Sequence, residues 1–185
     1  MKNKKVAFID IEANQIKKNI YMLEFSIFNS ESDSIMKFVE CQQKSPLNTE
    51  VSELLKKHKY YYKDKQISER QAYLELIELS KTYELVCFGN YDQTILDAIQ
   101  RRYKLERIKL TDFLEELSLI FNIDKNRTPS LNNFKNICEI DWNEENDHNS
   151  CWDAKYLKDV YLKINSNKNN PNFIDSYKKR LIVCL

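Results

Sequence analysis

The chain has no excess of either charge: Lys plus Arg total 29 and Asp plus Glu total 28. That balance excludes a general polybasic protein, although a local basic patch can still hold a phosphate backbone. Cysteine is present without its familiar patterns. Cys41, Cys87, Cys138, Cys151 and Cys184 include no C-x-x-C pair, and their number is odd. Three of them sit inside apolar runs, where cysteine behaves as a small hydrophobe. This usage predicts a reduced, cytoplasmic setting. No apolar run approaches the roughly 20 residues of a membrane helix. The charged N-terminus leads straight into a strand, which predicts no signal peptide and no membrane partner. Glycine occurs once. Beside the abundant Asn and Lys this is a compositional bias, and it carries no functional reading.

What is present suffices for a sizeable core. The chain is 42% apolar and 12% aromatic, and at 185 residues it reads as one domain, 1–185, with 165–185 as a C-terminal tail. Lys5–Ile11, Ile20–Asn29 and Ile35–Cys41 read as strands with short connections, the second showing period-two alternation of Tyr21, Leu23, Phe25 and Ile27. The connections predict an antiparallel meander. The period then changes. Ser68–Tyr83 is amphipathic, Leu85–Asn90 reads as a buried strand, and Gln93–Tyr103 as a helix. Ile108–Leu110 suggests a short edge strand, after which Thr111 would cap a helix to Phe121. Ser130–Ile137 and Cys151–Ile164 read as the last helices. Three strands followed by alternating helix and strand predict an α/β domain with a mixed sheet.

Three stretches carry chemistry. In "FIDIEAN" Asp10 and Glu12 lie two apart on the first strand, so their side chains share a face. Like charges that close repel, and burial raises the penalty. A divalent cation relieves both effects; an edge strand with solvated acids is the other account. In "CFGNYDQTIL" Asp92 follows a strand and opens a helix, at the end of the sheet where open α/β folds place their sites. An acid in a first helical turn also serves as a cap for free N–H groups. In "DHNSCWDAKYL" His148 precedes a helix and Asp153 lies in its first turn. Ser150-x-x-Asp153 fits a capping box equally well, yet histidine is the side chain suited to proton transfer near neutrality.

Taken in order, these stretches resemble the DEDDh family of DnaQ-like 3′–5′ exonucleases, which have a ribonuclease-H-like fold. "FIDIEAN" is similar to the first exonuclease motif at Asp10 and Glu12, "CFGNYDQTIL" to the second at Asp92, and "HNSCWDAKYL" to the third at His148 and Asp153. The second is closest in style to the W-G-x-Y-D form of the branch that trims RNA 3′ ends. "SLNNF", Ser130–Phe134, resembles the segment that leads to the third motif. The resemblance runs from about Lys5 to Ile164 and departs at Ala13-Asn14, where many members have a Thr-Gly turn, and at Ser150.

The resemblance implies a ribonuclease-H-like mixed sheet flanked by helices and phosphodiester hydrolysis at the 3′ end of RNA or single-stranded DNA. It implies two Mg²⁺ or Mn²⁺ ions on Asp10, Glu12, Asp92 and Asp153, with Asp10 bridging them and His148 as general base. Ala13, Asn14, Asn90 and Tyr91 would lie against the substrate. "KKHKYYYKDK" could add phosphate contacts from Lys56, Lys57 and Lys59 and stacking from Tyr60, or be a solvated loop with its tyrosines on the core. Lys178, Lys179 and Arg180 would flank a groove or be solvated. Trp152 reads as core or as a wall of the site, and His58 as a surface residue. A non-catalytic nucleic-acid-binding or partner-recruiting module with the same fold is the alternative, separable by metal binding.

Overall fold

A computed structural model describes residues 4–43, 46–49, 51–53, 66–123, 129–143 and 148–184, with the backbone only at 182–184. Strands β1 (Lys5–Ile16), β2 (Asn19–Asn29) and β3 (Ile35–Glu40) form the expected antiparallel meander. Strands β4 (Tyr83–Cys87) and β5 (Thr111–Asp112) extend the sheet in parallel on the other side of β1. The order β3-β2-β1-β4-β5 therefore puts β1 at the centre. This is the ribonuclease-H-like mixed α/β sheet expected from the sequence.

Alternation along β1 divides the core. Ala7, Ile9 and Ile11 point to one face, where they pack with Ala72, Tyr73 and Leu76 of α1 (Glu69–Thr82) and Ile95 and Ile99 of α2 (Tyr91–Tyr103). Phe8 points to the other face. There it joins Phe113 and Leu117 of α3 (Phe113–Phe121), Phe134 of α4 (Leu131–Ile137) and Leu157 and Val160 of α5 (Ser150–Asn167). Asp10 and Glu12 continue the parity of Phe8, so period two aims them at the layer that contains α5.

The boundaries correct several sequence expectations. β1 does not end at Ile11: the register shifts between Glu12 and Ala13, a bulge, and the strand runs on to Ile16. The residues that pair with β4 are Thr111–Asp112, not Ile108–Leu110; Ile108 and Leu110 are instead buried in the core. The cap of α3 is Asp112 and not Thr111, since the Asp112 carboxylate accepts the Leu114 N–H. The C-terminal tail is largely helical. The helix α5 extends to Asn167, and α6 (Pro171–Cys184) returns to bury Tyr177 and Leu181 against the second layer. Asn170 caps it by accepting from the Asn172 and Phe173 N–H groups, with Pro at the first helical position.

Candidate active site

Sheet pleat, one turn and one helix start bring the acids together. Asp10 and Glu12 project from β1, and Asp153 meets them from the first turn of α5. One carboxylate oxygen from each of the three lies within 4.8 Å of the others. Asp92 comes in from the start of α2. It is buried, and its carboxylate accepts the N–H of Ile11, the residue between the two β1 acids. It stands beside the group of three rather than within it.

The turn that delivers Asp92 depends on the chain's one glycine. Gly89 has φ +79°, in the left-handed region that a side chain disfavours. Its N–H donates to the Asp112 carboxylate at 2.8 Å, the same carboxylate that caps α3. Asp112 therefore fastens the β4–α2 turn to the start of α3. Asn90 then caps α2 by position alone, without a side-chain hydrogen bond, and Tyr91 stands 49% exposed beside the acids.

The start of α5 is held differently from the expected capping box. Asn149 is the cap: its side chain accepts from the Cys151 and Trp152 N–H groups. Ser150 turns inward instead, for reasons that involve β2. Glu24, paired across the sheet with Glu12, is 1% exposed. It accepts the Ser150 hydroxyl at 2.7 Å and the Ser150 N–H at 3.3 Å. Asp153 is fixed from two sides. The His148 N–H donates to Oδ2 at 3.0 Å, and the Lys135 ammonium lies 3.9 Å from Oδ1. Lys135 is fully buried, 4.0 Å from the ring centre of Trp142 and 4.5 Å from that of Tyr156. His148 itself is exposed, with φ +59°.

Electrostatics make the acids poor company for one another. Burial pushes the Glu12 carboxyl up to about 8, helped by the charges of Asp153, Glu24 and Asp92. Burial also raises Asp92 to about 8, against the pull of its Ile11 hydrogen bond. Asp10 is held well above the ordinary carboxylate range, first by burial and then by Asp92, Asp153, Glu12 and Glu24. A set of crowded, half-buried oxygen donors of one sign fits a hard divalent cation, whose charge removes the repulsion that raises these values.

Sequence reasoning missed Glu24, Asp112 and Lys135. Glu24 carried a signal: an acid inside a run, "YMLEFSIFN", that is otherwise buried on both faces. Lys135 carried none, because its surroundings come from Trp142, Asp153 and Tyr156. Among the other candidates, Asn14 is buried. Its amide donates to the Pro46 carbonyl and its carbonyl accepts the Asn48 N–H. Arg180 pairs with Glu139 and donates to the Ile137 carbonyl at the end of α4, while Trp152 stacks on Tyr156. Lys56, Lys57, Lys59, Tyr60 and His58 lie outside the described residues.

No protein-family model matches the chain, and no curated protein matches it in sequence. Solved structures do match in fold. A full-length 3′-exonuclease superposes with TM-score 0.63 at 14% identity, over 89% of this chain and 84% of that one. The Neurospora crassa Pan2 catalytic unit, with its protease and nuclease domains, gives 0.70 at 15% identity, over 95% of this chain and 29% of that one. The Saccharomyces cerevisiae Pan2 pseudoubiquitin hydrolase–RNA exonuclease module with AAGGAA RNA gives 0.62 at 14%, over 98% and 32%. The chain thus spans under a third of either Pan2 chain, and what it has in common with all three structures is their fold.

Proposed function

We propose that the protein is a metal-dependent 3′–5′ exonuclease of the DnaQ-like DEDDh type, acting on RNA or single-stranded DNA. The observation that carries this is the convergence of Asp10, Glu12 and Asp153 within 4.8 Å, with buried Asp92 beside them. The likeness in fold to a 3′-exonuclease and to an RNA exonuclease module supports it.

In this reading Asp10, Glu12, Asp92 and Asp153 would hold two Mg²⁺ or Mn²⁺ ions. When bound, such ions supply an activated water and charge stabilisation for the leaving 3′-oxygen. The chain supplies the rest. His148, at the exposed mouth of α5, takes the proton of the attacking water, and its N–H keeps Asp153 oriented. Tyr91 offers a half-exposed ring beside Glu12 and Asp92 on which a terminal base can stack. Exposed Asn90 lies next to it. Ala13 and Asn14 act by shape, since Asn14 anchors the 46–48 segment. Lys56, Lys57, Lys59 and Tyr60 are proposed to contact the strand further from its end. A reduced, cytoplasmic setting and a single domain over 1–185 complete the proposal.

The test is digestion in Mn²⁺ of 5′-labelled and 3′-labelled RNA and DNA, single- and double-stranded. The expected result is a ladder shortening from the 3′ end of single strands, absent with Asp10→Asn. No cleavage by the wild type, or equal cleavage by Asp10→Asn, contradicts the reading and favours a binding module.

A further inference from the structure

Glu24 is an acid that the proposed chemistry does not use, and it is among the most deeply buried polar groups in the described chain. It lies on β2, directly across from Glu12 and next to the layer that carries Asp153. A carboxylate in that position adds to the repulsion on Glu12 and Asp10. A site designed only to collect metal ions gains nothing from an acid committed elsewhere, so its hydrogen bonds are informative. Its Oε1 accepts from Ser150 twice: the hydroxyl at 2.7 Å and the N–H at 3.3 Å. Ser26, two residues along the same strand, lies 2.7 Å from the Ser150 hydroxyl oxygen. With the Ser150 proton on the carboxylate, Ser26 is the donor of that second bond.

These contacts form one buried link between β2 and the first residue of α5. Ser150 stands between His148 and Asp153. The remaining free N–H groups of the helix start go to Asn149, and a carboxylate at that end also complements the helix dipole. We infer that Glu24 is a positioning residue: through Ser150 it docks the start of α5 on the sheet, and so sets the distance from Asp153 and His148 to the acids of β1. This rests on the metal-dependent reading for its consequence, but the docking itself does not require metal. The role needs an acceptor rather than a charge, because both Ser150 groups are donors.

The experiment compares Glu24→Ala, Glu24→Gln and wild type by calorimetric Mn²⁺ titration, by kcat and KM on single-stranded RNA, and by amide hydrogen exchange over Ser150–Asp153. Glu24→Ala is expected to weaken Mn²⁺ binding by about 10–100-fold, the range typical for outer partners of metal ligands. It should lower kcat with little change in KM, and speed exchange at Ser150 and Asp153. Glu24→Gln keeps the acceptor and should stay near wild type in all three. Leu76→Ala, on the opposite face of the sheet, serves as the control: it lowers stability but leaves Mn²⁺ affinity unchanged. Wild-type exchange and affinity in Glu24→Ala overturn the inference, as does a Gln variant as impaired as the Ala variant. If wild type binds no Mn²⁺ while exchange still rises in Glu24→Ala, the docking stands and the nuclease reading falls.

Discussion

At the scale of single residues, the four acids and one histidine of the candidate site were legible because each sits in a short, ordered pattern. Asp10 and Glu12 needed only period two, and His148 and Asp153 only the start of a helix. Lys135 was not legible, and it is the residue most in need of explanation. A buried ammonium is costly unless something answers its charge. Here two aromatic faces and the Asp153 carboxylate do so. Lys135 sets a buried cation against Asp153, one member of the acid group. Lys135→Met is therefore expected to destabilise the metal-free protein by about 3 kcal/mol, as when one member of a buried charge pair is removed. Chemical denaturation with and without Mn²⁺ checks this: the loss should shrink when the metal supplies the missing charge. A loss of equal size in both conditions would mean that Lys135 serves packing alone.

At the scale of elements, segments with both a cap and a clear inner face were readable, among them Ser68–Tyr83 and Ser130–Ile137, and β5 and α6 were not. Ser68–Tyr83 was read nearly to the residue because Ser68 caps it and Ala72 and Leu76 fall at helical spacing on its buried face. β5 was misplaced by three residues because only two residues pair, and the apolar Ile108 and Leu110 beside them looked more strand-like. α6 was hidden by its Asn-rich lead, although Asn170-Pro171 is a readable start followed by Phe173, Ile174, Tyr177 and Leu181. The departure at Ala13-Asn14 also has an account at this scale. The strand bulges there and continues, and Asn14 spends its side chain on the 46–48 segment. The β4–α2 turn is the element most exposed to a single change. A Cβ on Gly89 would meet nothing within 4 Å, so Gly89→Ala suffers only from its φ of +79°. A stability loss of about 1–2 kcal/mol follows from that conformation alone. Because the turn leads to Asp92, metal affinity should weaken as well. A thermal melt and a Mn²⁺ titration of the same variant read both effects.

At the scale of the whole molecule, the site couples stability to pH and to metal. The mixed sheet was legible from the order of the elements, and its central strand from none of them, since that depends on β4 choosing the far side of β1. Placing the acids on the central strand has a thermodynamic consequence. In the unfolded chain Asp10, Glu12 and Asp92 lose their protons near the ordinary carboxylate value of about 4. In the folded, metal-free protein Glu12 and Asp92 keep theirs up to about 8, and Asp10 is raised in the same direction. Unfolding between those limits releases protons, so metal-free stability falls as pH rises from about 4 to about 8 and is not lowered by these groups below that window. Divalent metal reverses the trend, because it binds the ionised form and stabilises the fold by mass action. The melting temperature of the metal-free protein should thus decline across that range, and the gain on adding Mn²⁺ should grow with it.

The most direct measurement is a calorimetric titration of wild type and Asp10→Asn with Mn²⁺ at pH 7.5, with a melt of each sample before and after. The account predicts saturable binding to wild type with proton release and a raised melting temperature, and neither effect in Asp10→Asn. It also predicts that metal-free Asp10→Asn melts above metal-free wild type, since the amide needs no proton to be buried beside the other acids. Binding that is absent from wild type, or the same in both proteins, would contradict the claim that these carboxylates form a metal site.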